Sequence, residues 1–178
     1  YLDEVESKAS QNQNELDAAE NRLEAAEREQ WLSTSVPPKP NPDNVTSSRP
    51  VGGLTWVSPC NYTLLTSPFG WRTHPIYGDY RFHYGVDLAG PMGTPIVATR
   101  SGVVTTTTFD YSSGYYVVID HQDGYRSVYM HMCCKPFVAE GQTVYAGEVI
   151  GCIGTTGRST GNHLHFGISL NGTYVNPL

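Results

Sequence analysis

The sequence predicts a mainly β protein in which an antiparallel β-sheet domain follows a coiled-coil helix and a linker. Three observations support this class. Residues 1–31 carry a heptad pattern, residues 32–52 are rich in proline and serine, and the chain from residue 53 alternates short β-branched and aromatic runs with glycine turns. The predicted domains are therefore 1–31 for the helix, 32–52 for the linker and 53–178 for the β domain.

In the predicted helix, seam residues recur at alternating steps of three and four, and no proline or glycine interrupts them. The two seam positions are Leu2, Ala9, Leu16, Leu23 and Gln30, and Val5, Asn12, Ala19 and Ala26. A single solvated helix is the alternative, because so short a helix is marginally stable by itself. The pattern predicts self-association or binding of a protein partner.

The linker and the charge distribution separate this helix from the rest of the chain. Five prolines among polar residues in 32–52 predict an extended, semi-stiff connection. The net charge is −6, and residues 1–31 hold nine acidic and three basic residues, so residues 32–178 are balanced. The β domain therefore lacks the basic face of a nucleic-acid binder, and nucleic acid is excluded as a partner.

From residue 53 the sequence predicts antiparallel strands with turns at 90–93, 122–124 and 171–172. No helical periodicity of useful length appears in this part. The predicted strands are 54–57, 102–106, 115–120, 126–131, 143–145, 149–154, 163–170 and 173–175. This pattern is typical of an all-β domain of about 125 residues.

The chain has four cysteines, Cys60, Cys133, Cys134 and Cys152. A bond between the neighbours Cys133 and Cys134 would strain the backbone. The even count predicts two disulfides of an exported protein, with Cys60 and Cys152 each bonded to one of the two neighbours. Buried thiols, or Cys133 and Cys134 as soft metal ligands, are the alternatives.

The residues suited to metal chemistry lie in the β domain. His163 and His165 stand two apart in a predicted strand, so their imidazoles project from one face roughly 6 to 7 Å apart. His83 and Asp87 would lie about 13 Å apart on a straight strand. That separation is too long for one zinc ion, so the chain must bend at Gly85 if both bind it. Two imidazoles and one carboxylate form the ligand set of a catalytic zinc site with one position open for water.

The motifs of this domain resemble those of the lysostaphin-type (LytM-like) zinc peptidases in order and spacing. They are Ser67–Arg72, His83–Asp87, Gly93–Ala98, Tyr129–His131 and Gly157–Phe166. The resemblance spans about residues 65–177 and covers neither the helix nor the linker. It implies a β-sheet fold with a β-sandwich-like groove.

The resemblance also implies a function and a division of roles. Members of the lysostaphin-type family hydrolyse peptide bonds in bacterial peptidoglycan, so the expected partners are peptidoglycan peptides. The expected location is extracytoplasmic, meaning secreted, at the cell surface or in the cell wall. By motif, His83, Asp87 and His165 would bind one Zn²⁺ per chain. His131 and His163 would be the catalytic histidines that accept a proton from water or stabilise the developing oxyanion. Strand geometry alone does not decide which histidine of the 163/165 pair binds the metal.

Four further residues are weaker candidates for the oxyanion or the substrate groove. A loop tyrosine before the first ligand, Tyr77 or Tyr80, would stabilise the oxyanion in some members of the family. Asn162 would orient a neighbouring histidine or cap a turn. Arg72 would contact carboxylates of the stem peptide, and a solvated surface arginine is the alternative.

Two classes of function fit these observations. The first is a zinc endopeptidase of the cell wall. The alternative is a catalytically silent scaffold or activator of other wall hydrolases that uses the coiled coil to bind partners. Silent relatives usually lack one or more of the five metal and catalytic residues, and this chain has all five. The sequence therefore favours the enzyme.

Overall fold

The computed structural model describes Lys8, residues 56–73 and residues 80–178. The predicted linker lies outside the described residues, as does the predicted helix except for Lys8, which is helical and exposed. The coiled coil therefore stays a prediction. The chain divides into two units, Tyr1–Val36 and Pro37–Leu178, and all described strands belong to the second. The described residues include no helix of membrane-spanning length and apolarity.

Residues 56–73 and 80–178 form twelve strands and no helix, and every strand pair is antiparallel, which confirms the predicted fold class. The strands are β1 Leu64–Ser67, β2 Gly70–Thr73, β3 Tyr80–His83, β4 Val86–Ala89, β5 Pro95–Val97, β6 Gly102–Asp110, β7 Gly114–Asp120, β8 Tyr125–Met132, β9 Thr143–Val144, β10 Val149–Cys152, β11 His163–Leu170 and β12 Thr173–Val175.

One eight-stranded sheet carries most of the domain. Its order is β1-β4-β11-β8-β7-β6-β9, with β12 paired to β11, and two ribbons are formed by β5 with β10 and by β2 with β3. In β11 the imidazoles of His163 and His165 alternate with the buried side chains of Leu164 and Phe166. The histidines therefore project from the sheet face opposite the core.

The core lies between the sheet and the β5–β10 ribbon. Leu88, Ile119, Leu164, Ile96 and Ile150 are fully buried in one cluster that includes residues of both layers. Burying such side chains contributes about 1.5–3 kcal/mol each. The site strands β4, β8 and β11 are thus held from behind by a continuous apolar layer.

Tyr129 of β8 is the largest of the fully buried side chains. Its hydroxyl accepts a hydrogen bond from the Thr99 amide at 2.8 Å and lies 2.8 Å from Thr99 Oγ1. A buried hydroxyl is costly without such partners, so this pairing allows an aromatic ring to fill the core directly beneath the site.

The predicted strand at 54–57 is wrong where it can be compared. Trp56 and Val57 lie outside any strand, and residues 54–55 are not among the described residues. Val57 donates one backbone hydrogen bond to the Thr99 carbonyl, and the Trp56 ring packs edge-on against His121 and Tyr125. Trp56 is a half-buried loop residue and Val57 is exposed, so their aromatic and β-branched composition imitates a strand without forming one.

Of the two predicted disulfides, the one between Cys152 and a neighbour of the 133/134 pair is confirmed, and the one with Cys60 is wrong. Cys133 is bonded to Cys152, whereas Cys60 and Cys134 are buried thiols. The Cys134 sulfur lies 3.5 Å from that of Cys133 and 3.9 Å from that of Cys152. Cys133 and Cys134 therefore both lie close to Cys152, and Cys133 is the one bonded to it. Cys60 instead forms a backbone bridge with Ile96, and burial raises the pKa of its thiol to about 11.

We expect Cys152→Ala to lower the free energy of unfolding more than Cys60→Ala does, by about 3 kcal/mol. Both substitutions remove one buried sulfur, but only the first removes a cross-link, which closes a loop with a sequence separation of 19. Denaturant titration of the two variants measures the difference. Equal destabilisation would show that this cross-link does not stabilise the fold.

Candidate metal centre

Three side chains from three strands bring their polar atoms to one point. Nδ1 of His165 lies 3.0 Å from Oδ1 of Asp87, and Nε2 of His83 lies 3.2 Å from the same oxygen. The two nitrogens are 3.0 Å apart. His165 of β11 and Asp87 of β4 are direct cross-strand partners, so they share a sheet face, and His83 joins them from the end of β3.

The predicted bend at Gly85 is confirmed. β3 ends at His83 and β4 begins at Val86, with a bend between them that brings the imidazole back beside Asp87. A Cβ atom at residue 85 would lie 2.5 Å from the carbonyl oxygen of Phe166 and 2.8 Å from Nε2 of His165. Only glycine allows β11 to approach this closely, so the bend and the position of His165 depend on the same residue.

We therefore expect Gly85→Ala to lower the free energy of unfolding by about 1–3 kcal/mol, the usual cost of overpacking, and to weaken metal binding. Gly161→Ala is the matched control, because a Cβ at residue 161 meets no atom within 4 Å. Thermal unfolding and metal content of the two variants measure the effect. If both variants behave alike, the close approach at Gly85 does not hold the site together.

The three donor atoms fit a divalent metal such as zinc. All lie within 4.8 Å of one another, and ligands of a zinc ion at about 2.0–2.2 Å lie roughly 3.3 Å apart around a tetrahedron. Nδ1 of His83 donates to the carbonyl oxygen of Pro68 at 2.9 Å. That bond fixes the tautomer in which Nε2 presents its lone pair to the other two donors, as the outer partner of a metal-binding histidine does.

The protonation states of Asp87 and His165 also favour metal binding. Burial by itself would raise the pKa of Asp87, but the imidazoles of His165 and His83, 3.0 and 3.2 Å from its Oδ1, favour the ionised carboxylate and hold that pKa well below its usual range. Burial lowers the pKa of His165 even though the Asp87 carboxylate opposes the shift. At neutral pH the site therefore presents an ionised carboxylate beside a neutral imidazole, the forms that bind metal ions.

His131 and His163 lie beside these three residues, with their ring centroids 4.7 Å apart. Nδ1 of His131 donates to the Thr156 carbonyl at 2.9 Å, and Nδ1 of His163 donates to the Gly161 carbonyl at 2.8 Å. Each Nε2 is therefore an unprotonated acceptor in the neutral ring. Burial, with the charge of His163, lowers the pKa of His131 to about 4, so its imidazole is neutral at physiological pH.

A β-bulge turns His131 towards the site. Tyr129 faces the core, so regular alternation would direct Met130 to the site and His131 back into the core. The pairing shifts by one residue between Tyr115↔Met132 and Val117↔Tyr129, and His131 has a φ of 62°. A bulge of this kind redirects a side chain, and Met130 and His131 both line the same cavity. The amide of His131 donates to the Ser113 carbonyl at 2.9 Å, which holds this left-handed conformation.

The cavity has a volume of about 220 Å³ and is lined by His83, Asp87, His131, His163 and His165. Arg72 and Arg158 are also part of its wall. The structure thus brings together all five predicted metal and catalytic residues. It also places Arg72, one of the weaker candidates, next to them.

Two of the other weak candidates, Tyr80 and Asn162, are not part of the cavity wall. Tyr80 is 68% exposed and stacks on Trp71, with ring centroids 5.4 Å apart. It belongs to the opposite face of the β2–β3 ribbon from His83, because the two are three residues apart in one strand. Asn162 is exposed, and Tyr77 lies outside the described residues. The geometry of the described residues therefore gives Tyr80 no oxyanion role.

Sequence reasoning missed the residues that support His131. Thr156 accepts from its ring through the backbone carbonyl, and its hydroxyl donates to the Met132 carbonyl at 2.6 Å. Gly157 makes this loop fit against Gly114, since a Cβ at residue 157 would lie 2.2 Å from the Gly114 nitrogen. Glycines at both positions were visible in the sequence, but they indicate turns in general and not a contact with each other.

Comparison with known proteins supports a peptidase site. Residues 81–177 match the sequence model of Peptidase family M23. Over 127 residues the chain is 43% identical to the DD-carboxypeptidase/endopeptidase Mpg of Neisseria meningitidis, a match that covers 71% of this chain and 29% of that protein. Over 121 residues it is 39% identical to the peptidoglycan DD-endopeptidase ShyC of Vibrio cholerae, covering 67% of this chain and 28% of the relative.

A solved structure agrees with these matches. A zinc-containing peptidase from Vibrio cholerae superposes with a TM-score of 0.61 at 36% sequence identity, over 68% of this chain and 37% of that one. The chain therefore spans well under half the length of the relatives it matches. The similarity concerns the β domain that carries the cavity.

Proposed function

Because the chain belongs to Peptidase family M23, we propose that it is a zinc-dependent endopeptidase that hydrolyses peptide bonds in bacterial peptidoglycan. The observation that carries the proposal is the convergence of His83, Asp87 and His165 on one point, with His131 and His163 beside them. The names of the relatives, a peptidoglycan DD-endopeptidase among them, support the substrate. A peptidoglycan hydrolase acts outside the cytoplasm, so we also propose an extracytoplasmic location in bacteria.

His83, Asp87 and His165 would hold the ion. When bound, zinc supplies Lewis-acid polarisation of the scissile carbonyl and activation of a water molecule. The protein's other histidines then handle the proton. Nε2 of His131 or His163 accepts it from water while oxygen adds to the carbonyl carbon, and the same proton passes to the departing nitrogen. Hydrolysis of one amide with one water leaves a new carboxylate and a new amine.

The geometry supports a proposal in which the two histidines have different roles. His131 is buried, and its fixed Nδ1–H bond to Thr156 holds Nε2 as a neutral base. His163 is more exposed, and its Nε2 lies 3.8 Å from Oδ1 of Asp87, directly beside the metal position. A protonated His163 would stabilise the negative charge that develops on the carbonyl oxygen. We assign the base to His131 and the oxyanion contact to His163.

The silent scaffold or activator is the second candidate. The complete site argues against it, since a scaffold has no need for a bend at Gly85, a bulge at His131 and three converging ligand atoms. Residues 1–31 would supply the partner-binding helix in that case, and their association stays a prediction in either case.

The test uses the full chain of 178 residues with purified peptidoglycan. Release of new amino groups is measured for the zinc-loaded protein, for the protein stripped with a chelator, and after zinc is restored. We expect release that disappears on stripping and returns with one zinc per chain, and mass spectrometry of the fragments then identifies the bond. One zinc per chain without release from several types of cell wall would favour the scaffold.

A further inference from the structure

Arg72 is a charged residue of the cavity wall that the mechanism above does not use. It lies on β2, on the face of the β2–β3 ribbon that turns towards the metal centre, because Gly70 on the same face pairs with His83. Its side chain is only 19% exposed, whereas its neighbour Trp71 on the other face is 63% exposed. The ribbon therefore presents one guanidinium inward, next to the reacting groups.

The donors of this guanidinium are not used within the described part of the chain. Its Nε is buried without a hydrogen-bond partner. Among the described residues, its carboxylate contact is that of Nη2 with Oδ2 of Asp87 at 3.7 Å, too long for a hydrogen bond. Asp87 is already engaged through Oδ1 by His83 and His165. A guanidinium offers five N–H donors, and a buried Nε without an acceptor among the described residues is a donor that a ligand entering the cavity would satisfy.

Resting on the proposed peptidase function, we infer that Arg72 determines specificity by binding a free carboxylate of the substrate next to the scissile bond. Guanidinium groups bind carboxylates through two parallel charge-assisted hydrogen bonds. The distance to Asp87 places such a carboxylate within about one residue of the metal centre, so it belongs to a residue that takes part in the bond being cut.

Peptide chemistry then decides which residue carries it. The residue on the acyl side has its α-carboxyl in the scissile bond, so a free α-carboxylate belongs to the residue whose amine is released. Two substrates meet this condition. One is a stem peptide that ends in D-Ala-D-Ala, and the other is a cross-link in which the side-chain amine of a diamino acid is acylated beside its own free carboxylate. A bond inside a glycine bridge has no such carboxylate and is excluded as the preferred substrate.

The experiment compares probes that differ only in this group. Linear N-acylated Lys-D-Ala-D-Ala and a cross-linked stem-peptide dimer are each prepared with the carboxylate free or converted to a carboxamide. For the zinc-loaded full chain, we expect kcat/KM to be about 10- to 100-fold higher for the probe with the free carboxylate than for its carboxamide. This ratio corresponds to the free energy of hydrogen bonds between charged groups. Preference in the linear pair assigns the terminal carboxylate, and preference in the dimers alone assigns the cross-link.

Three variants show whether Arg72 is responsible. Arg72→Gln should reduce the preference to within about twofold, and Arg72→Lys should keep part of it as a point charge. The control is Arg126→Gln, which removes an exposed guanidinium paired with Asp120 and should keep the full preference. If Arg72→Gln slows both probes equally and lowers bound zinc, Arg72 positions Asp87 and the inference is overturned.

Failure of the inference and failure of the proposed function give different results. Equal cleavage of carboxylate and carboxamide probes by the natural chain overturns the carboxylate site and leaves the peptidase intact. If no probe is cleaved, calorimetry of the released amino acid and its amide decides without turnover. Tighter binding of the carboxylate form, lost in Arg72→Gln, supports the site, and equal binding overturns it.

Discussion

Replacing Asp87 with asparagine should abolish hydrolysis and leave the protein with less than one zinc per chain. Asparagine has the same shape, but it removes the only negative charge among the three ligands, and Oδ1 of Asp87 is the atom that both His83 and His165 approach. A metal held by this carboxylate would polarise the scissile carbonyl and lower the activation barrier by several kcal/mol. We therefore expect a loss of activity of roughly 10³-fold or more, measured as amino groups released from peptidoglycan.

The control for this variant is Asp120→Asn. Asp120 forms an exposed ion pair with Arg126, at 3.0 Å, on the part of β7 and β8 that lies away from the cavity. The same chemical change there should alter activity less than about twofold, because exposed ion pairs contribute little. Full zinc content and full activity in Asp87→Asn would refute the assignment of this carboxylate as a ligand.

The sequence predicted some strands well and others not at all, and the difference has a physical cause. β11 has the bounds that alternation predicted, because it is eight residues long and buries every second side chain at the start. The short β12 was also found, because the turn at 171–172 signals a hairpin that pairs it directly with β11. The strands from β1 to β5 have three or four residues each. Such strands are too short to show a period, and pairing with distant partners decides their conformation.

The five site residues were found in the sequence, but the reasons for their arrangement lie in tertiary contacts. His163 and His165 are equivalent by strand geometry, and only the register of β11 against β4 places His165 opposite Asp87. The position of His131 depends on a bulge that the residues around it do not signal. Tyr80 was expected near the oxyanion from its place before the first ligand. It lies in a strand, where alternation directs it away from the cavity.

Removing the imidazole of His131 should separate catalysis from metal binding. His131 is not among the three converging ligands, so a variant without its ring should keep one zinc per chain. Loss of a positioned base lowers the rate by about 10²- to 10⁴-fold. We expect this reduction in kcat for His131→Asn. Asparagine is chosen because it tolerates the positive φ of 62° better than most residues do.

His131→Ala serves as the comparison, because alanine removes the same ring but is strained at a positive φ. If loss of the base causes the defect, both variants lose the same activity while alanine alone lowers the midpoint of thermal unfolding. If the backbone conformation causes it, asparagine retains most of the activity. A third outcome is loss of zinc from both variants. It would show that His131 belongs to the metal site, and His163 would then be the remaining candidate for the base.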